Sequence, residues 1–190
     1  MRRIILASAS PRRKALLEEL GLKFEVIVSS FDEESIKIKN PKKLVETLSK
    51  KKAQEVANKI PDAIVIGADT VITLDNTILG KPRDKKDAQR MLSILSGKVH
   101  SVITGFTIID SLHKISITKS LGTKVYFKKL NLKQIKEYID TGEPMDKAGA
   151  YAIQEEGGKF VAKIEGDYSN IVGLPLDLLK QEFWKLKIEL

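Results

Sequence analysis

The sequence predicts an α/β fold with a mixed sheet flanked by helices, and three observations carry that expectation. Apolar runs of strand length mix with stretches of helical period along the whole chain. One run, Ala63 to Leu74, is nearly continuous in apolar residues, as a strand covered on both faces is. A later stretch, Ile115 to Phe127, alternates instead, as a strand with one wet face does. An α+β arrangement satisfies the same pattern. The 190 residues suffice for one domain, residues 1–190, with a real core and room for two lobes.

The first strand, Ile4-Ile5-Leu6-Ala7, runs into a helix. Ser10 reads as the N-cap and Pro11 as the first helical residue, Leu16, Leu17 and Leu20 share a face, and Gly21 stops the helix. Its first turn carries Arg12, Arg13 and Lys14, where the helix dipole favours acids; each misplaced cation costs up to about 1 kcal/mol. Two readings stand. The cations point into water, or a bound anion meets them together with free backbone N–H groups and the hydroxyls of Ser8 and Ser10.

Phe24 to Val28 reads as a second strand, and Ser29 to Asn40, with Asp32-Glu33-Glu34, as a polar loop. Pro41 opens a helix to about Lys59; Lys50, Lys51 and Lys52 within it point in different directions, the usual mark of solvated faces. Asp69 interrupts the strand from Ala63 to Leu74. Aspartate is disfavoured in strands and expensive to bury alone, so it is either a turn residue between two shorter strands or a carboxylate placed for chemistry. Asp75-Asn76-Thr77 makes a hairpin turn, Ile78-Leu79 returns, and Gly80-Lys81-Pro82 sets a lysine in a rigid turn. A helix follows from Asp84 to Leu95, with Ala88, Met91, Leu92 and Leu95 inward, and Gly97 ends it. Val99 to Asp110 and Lys114 to Phe127 form two long strands, and Asn131 to Asp140 a helix. Thr141-Gly142-Glu143-Pro144 reads as a loop, Gly157-Gly158 as a hairpin before Phe160 to Ile164, and Gly166 to Asn170 as a polar turn. An amphipathic helix from about Pro175 to Lys185 closes the chain.

Composition narrows the chemistry. There is no cysteine, and the two histidines, His100 and His113, cannot make a typical zinc site; both read as structural. A hard cation held by carboxylates and substrate phosphates is compatible. The apolar runs fall far short of the roughly 18 residues that span a bilayer, and the N-terminus lacks a signal peptide, so the expectation is a cytoplasmic protein with no membrane partner. A net charge of +8 favours a polyanionic partner. Aromatic residues at 6% make a poor base-stacking platform, so no stable nucleic-acid partner is expected. Neither the P-loop nor the dinucleotide glycine motif is present. What remains is a set of separated cations, Arg12, Arg13, Lys52 and Lys81, with the acids Glu33 and Asp69. That inventory suits phosphoanhydride hydrolysis: cations neutralise oxygens, a divalent metal bridges carboxylates and phosphates, and a carboxylate deprotonates water.

These residues carry a family resemblance. Leu6-Ala7-Ser8-Ala9-Ser10-Pro11-Arg12-Arg13, Gly67-Ala68-Asp69-Thr70, Gly80-Lys81-Pro82, Leu95-Ser96-Gly97, Thr141-Gly142-Glu143-Pro144, Asp146-Lys147-Ala148-Gly149-Ala150-Tyr151 and Gly166 to Pro175 resemble, in order and spacing, the blocks of the Maf family of nucleoside triphosphate pyrophosphatases. The resemblance implies an inosine triphosphate pyrophosphatase-like fold with a cleft between two lobes. It implies cleavage of nucleoside triphosphates to the monophosphate and pyrophosphate with Mg²⁺ or Mn²⁺, an association with septum formation and arrest of cell division, and leaves a homodimer open. Carried over by residue, Asp69 resembles the general base. Arg12, Lys52 and Lys81, with Ser8 and Arg13 beside them, would contact the triphosphate. Glu33 would stand with Asp69 near the metal, with Asp32 and Glu34 as adjacent candidates. Arg12, Thr70 and Gln154 match the trio of the branch that prefers dTTP and UTP over 7-methyl-GTP, and an amide at Gln154 suits a pyrimidine O4/N3–H edge. The competing class is a basic binding protein without turnover that regulates septum formation or binds nucleic acid.

Overall fold

β1 (Arg3–Leu6) has parallel partners on both edges, β2 (Glu25–Val26) and β3 (Ala63–Leu74). Ile4, Ile5 and Leu6 are buried, as expected for an inner strand whose parallel neighbours are joined by helical crossovers that cover the sheet's faces. The structure, a computed structural model, describes residues 2–188. Between the first strands lie α1 (Pro11–Glu18) and α2 (Pro41–Ala57). After β3 come β4 (Thr77–Leu79), α3 (Lys85–Leu95), β5 (Val99–Asp110), β6 (Ile115–Phe127) and α4 (Leu132–Asp140). Then come β7 (Val161–Glu165), α5 (Tyr168–Val172) and α6 (Leu176–Lys185). The sheet is mixed and seven-stranded, in the order β2-β1-β3-β5-β6-β7 with β4 paired to β3; β4 and β7 run antiparallel to their partners.

Most expected elements are present, and several differ, the loop at 141–144 among them, since it runs into a 3₁₀ helix, Glu143–Asp146. The second strand shrinks from 24–28 to Glu25–Val26, both exposed, because at the sheet edge only β1 pairs with it. The polar loop 29–40 contains a 3₁₀ turn, Glu33–Ser35, capped by the Asp32 carboxylate, which accepts the Glu34 N–H. Gly157-Gly158 makes no hairpin. Both lie in a 3₁₀ helix, Glu156–Phe160, where a Cβ on Gly158 would sit 2.3 Å from the Ile153 carbonyl oxygen. Of the polar turn 166–170, residues 168–170 instead form the start of α5.

By their contacts the residues fall into two compact units. The first comprises 1–69, 104–121 and 173–190. Its core includes Ile5, Ala7, Ala53, Val56, Val65 and Ile109. α2 lies on the sheet at a distance only glycine permits: a Cβ on Gly67 would be 2.4 Å from the Ser49 carbonyl oxygen, and one on Gly105 2.7 Å from that of Val45. The Asn40 carboxamide caps α2 by accepting the Lys43 N–H.

The start of β1 is tied to the end of β5 by charge. The Arg2 guanidinium donates to both oxygens of Asp110, each at 2.6 Å, and the His113 N–H adds a third bond at 2.9 Å. The bidentate guanidinium holds the Asp110 carboxyl well below the usual carboxylate range. An acid whose folded pKa is depressed stabilises the fold above its unfolded pKa, about 4, and loses that contribution as pH falls through the folded value. Asp110→Asn is therefore expected to lower stability by about 1–2 kcal/mol at pH 7, Arg2 being part-exposed. Its deficit against the unsubstituted chain should narrow below about pH 4. Urea denaturation at pH 7 and pH 3.5 checks this, and an equal deficit at both refutes it.

The second unit comprises 70–103 and 122–172. Its core gathers Leu79, Met91, Leu92, Leu95, Val125, Ile135 and Tyr138. Phe127 meets the rings of His100 and Tyr151 edge-on, with centroids 4.9 and 4.7 Å away. His100 Nε2 lies 2.7 Å from the Tyr151 hydroxyl, and burial pushes the imidazole down to about 4, so it stays neutral as a core group. Both histidines are thus structural, as expected, His113 through its bonds to Asp110.

Candidate active site

The carboxylate that breaks the apolar run of β3 is buried. Asp69 is 7% exposed, and its Oδ1 accepts a bond from Lys52 Nζ at 2.7 Å. The close seat of α2 over Gly67 accounts for that reach. With the Ser49–Ala53 backbone against the strand, the Lys52 side chain lies along the sheet and ends at Asp69, two residues past Gly67. Lys50 and Lys51 are exposed and Lys52 is buried, so the run of three lysines holds one that is not a solvated face.

Lys52 Nζ also lies 2.9 Å from Glu33 Oε1. Of the acidic triplet, Glu33 makes this contact, whereas Asp32 is used as a cap. One ammonium thus gathers two carboxylates from the 3₁₀ turn and β3. Burial raises the Asp69 pKa above the usual carboxylate range, against the pull of the Lys52 and Arg13 charges, and the Glu33 charge adds to the rise. A carboxylate so raised is a better base near neutral pH than a solvated one. Lys52 donates to Oδ1, which leaves acceptor sites on Oδ2 and on Oδ1 itself for a proton and a metal.

Arg13 faces inward from α1. Its Nε donates to the Gly173 carbonyl at 2.9 Å, and its Nη1 donates to the Ala68 carbonyl at 2.9 Å and to Ser8 Oγ at 3.1 Å. The guanidinium therefore joins the turn after β1, the residue before Asp69 and the entry to α6. Ser8 Oγ also accepts the Ser10 N–H, and Ser10 in turn caps α1 through the Arg13 N–H. The second residue of α1, Arg12, is half-buried in the same turn. The cation cluster that conflicts with the helix dipole thus divides: Arg13 holds the loop together, Lys14 pairs with Glu18, and Arg12 stands half-buried ahead of both in the first turn.

Thr70, Lys81 and Gln154 belong to the second unit. Thr70 follows Asp69 in β3 and is half-buried. Lys81 is exposed, next to Gly80, whose carbonyl accepts the Gly149 N–H at 2.9 Å. Gln154 is exposed in the turn before the 3₁₀ helix Glu156–Phe160. Two further residues, with no functional expectation from the sequence, stand around that turn. Glu143 accepts backbone N–H groups from Glu156 and Gly157, and Lys147 is buried beside Asp146 and Glu155. Their signal lay in the blocks Thr141-Gly142-Glu143-Pro144 and Asp146-Lys147, where charged residues interrupt small and apolar ones.

Among the described residues no group of three or more His, Cys, Asp or Glu side chains could by itself hold a metal ion. The pair Glu33 and Asp69 supplies hard oxygen donors of the kind Mg²⁺ or Mn²⁺ takes, with phosphate oxygens and water completing the shell. No helix among the described residues is long and apolar enough to cross a membrane.

Comparison with known proteins bears on what this site does. A family model described as Maf-like protein matches residues 3–186. A protein of Alkaliphilus metalliredigens named dTTP/UTP pyrophosphatase is 52% identical over 177 residues, 93% of this chain and 92% of that one. One of Clostridium botulinum strain Kyoto with the same name is 48% identical over the full length of both. In fold, the chain is similar to the structure of the Staphylococcus aureus Ham1 protein, with a TM-score of 0.54 at 13% identity, covering 98% of this chain and all of that one.

Proposed function

Because the chain belongs to the Maf-like protein family, we propose that it is a nucleoside triphosphate pyrophosphatase, hydrolysing dTTP and UTP to the monophosphate and pyrophosphate, and that the matched span acts as one catalytic domain. The observation that carries this reading is the buried Asp69, raised in pKa and paired through one oxygen with Lys52. The relatives' names support the base preference.

In this reading Asp69 takes the proton of a water that attacks the α-phosphorus. The α–β anhydride bond breaks and pyrophosphate leaves with the electron pair. Lys52 keeps Asp69 ionised and presents its charge to the phosphate oxygens, and Arg12 and Lys81 neutralise the rest of the triphosphate. Ser8 donates its hydroxyl to a phosphate oxygen, and Arg13 fixes Ser8 and the Ala68 carbonyl in place. Glu33 and Asp69 would hold a divalent cation, which when bound neutralises phosphate charge and acidifies water. Arg12, Thr70 and Gln154 choose the base. The Gln154 amide offers a donor and an acceptor, which matches the O4/N3–H edge of uracil and thymine; only an amide held in that orientation disfavours cytosine, whose donor and acceptor are exchanged.

The test is a panel of nucleoside triphosphates with Mg²⁺ or Mn²⁺, assayed for pyrophosphate. UTP and dTTP should lead. Gln154→Glu, which can only accept, should lower kcat/KM for UTP relative to CTP by about 10–100-fold, the discrimination expected of one bidentate base contact. Tight DNA binding with no product, or an unchanged ranking in the variant, overturns the reading in its first or second part.

A further inference from the structure

The 3₁₀ helix Glu156–Phe160 begins without a cap of its own, because Glu155 in the N-cap place makes no side-chain cap bond. The first N–H groups of a helix need acceptors from elsewhere. Glu143, thirteen residues upstream, supplies them. Its Oε2 accepts the Glu156 N–H at 3.1 Å, and its Oε1 accepts the Gly157 N–H at 3.1 Å and the Tyr138 O–H at 2.7 Å. A carboxylate there also matches the positive end of the helix. The clamp is anchored in turn. Tyr138 is buried on the inner face of α4, and the Thr141 hydroxyl accepts the Glu143 N–H while donating to the Tyr138 carbonyl. On the same turn Lys147, 7% exposed, bonds to Asp146 and lies 3.6 Å from Glu155 Oε2. Gly157 is packed so closely that a Cβ would meet the Tyr138 hydroxyl at 2.6 Å. Residues 155, 156 and 157 are thus each held by a buried or anchored partner, and the residue just before them is the exposed Gln154.

We propose that Glu143 and Lys147 are positioning residues that set base selectivity by fixing the turn that presents Gln154. The proposal rests on the reading of Gln154 as the base reader. Exposed glutamine has several rotamers, so its amide discriminates only if the backbone beneath it is rigid. A displacement of about 1 Å at such a group can cost as much as 100-fold. Glu143 and Lys147 touch neither the base nor the phosphates in this scheme; they act through the Gln154 backbone.

The experiment uses the whole enzyme with UTP and CTP, comparing wild type, Glu143→Ala, Lys147→Met, Lys147→Arg, Gln154→Ala and the double variant Glu143→Ala/Gln154→Ala. Glu143→Ala should raise KM for UTP about 10-fold with kcat within about 2-fold, and bring the UTP:CTP ratio to that of Gln154→Ala. The double variant should be no worse than Gln154→Ala alone, because both act through one contact. Lys147→Met should move the ratio the same way, and Lys147→Arg should restore it; this pair carries the test if Glu143→Ala does not fold. Amide hydrogen exchange at Glu156 and Gly157 reads the clamp with no nucleotide present and should quicken in Glu143→Ala. Unchanged exchange there overturns the clamp. Quickened exchange with an unchanged UTP:CTP ratio, or losses that add in the double variant, overturns its bearing on base choice. A wild type that releases no pyrophosphate from UTP instead overturns the proposed reaction.

Discussion

Asp69→Asn is expected to reduce pyrophosphate release from UTP by at least about 1,000-fold, while the variant folds and binds nucleotide as before. Asparagine has the shape of aspartate and keeps a carbonyl oxygen for the Lys52 ammonium, so the 2.7 Å bond has a replacement. What it loses is the second, basic oxygen. General-base transfer contributes about 100–10,000-fold, and the upper part of that range applies because this base is raised toward neutrality by burial. Folding should hardly suffer. The substitution removes a charge that is costly to bury, and Lys52 retains Glu33 at 2.9 Å. Binding, followed by the thermal shift that UTP induces, should stay within a few-fold. Turnover close to that of the unsubstituted enzyme would remove Asp69 from the mechanism.

Asp69 stands out in the sequence because it violates a rule, an unpartnered aspartate not belonging in a buried strand; of the two readings left open, a turn between short strands fails, since β3 runs unbroken through it. β3 itself, Ala63–Leu74, appears over the residues expected, since a nearly unbroken apolar run has few other solutions. The cap expected at Ser10 likewise follows local chemistry and bonds to its own helix, and Asn40, Asp84 and Asn131 cap theirs in the same way in the structure. What local chemistry does not carry is the partner across the fold. In local chemistry Lys52 is one of three adjacent lysines; the family resemblance marks it, and the close seat of α2 over Gly67 and Gly105 is what buries it. The cluster Arg12-Arg13-Lys14 announces a departure from the helix dipole, but not that Arg13 satisfies backbone carbonyls at Ala68 and Gly173, the second 160 residues away. The cap that Glu143 gives to residues 156 and 157 is equally non-local, so Gly157-Gly158 reads as a turn when the close approach of Tyr138 and Ile153 is what demands glycine.

Lys52→Met should be the most destabilising single change at the site, and its pH dependence carries the argument. The side chains of Lys52 and Asp69 are 11% and 9% exposed. Removing one partner of a buried pair strands the other, at a cost of about 3–5 kcal/mol. Activity should fall with it, because the Lys52 charge is the leading influence that lowers the Asp69 pKa against burial. Without it the carboxyl group holds its proton further up the pH scale, and less of it is ionised to act as a base. The sign of the stability effect follows. An acid whose folded pKa is raised above its unfolded value of about 4 carries no penalty below that value, where both states are protonated, and destabilises the fold progressively as pH rises from there to the folded pKa. The deficit of Lys52→Met should therefore be largest at pH 8 and shrink toward pH 5, measured in EDTA so that no cation replaces the lost charge. Adding Asp69→Asn should recover most of the stability at pH 8 and none of the activity, since the stranded charge is gone but so is the base. A double variant no more stable than Lys52→Met would mean that the lysine acts by packing its methylene chain under α2, and that the ion pair contributes nothing to the fold.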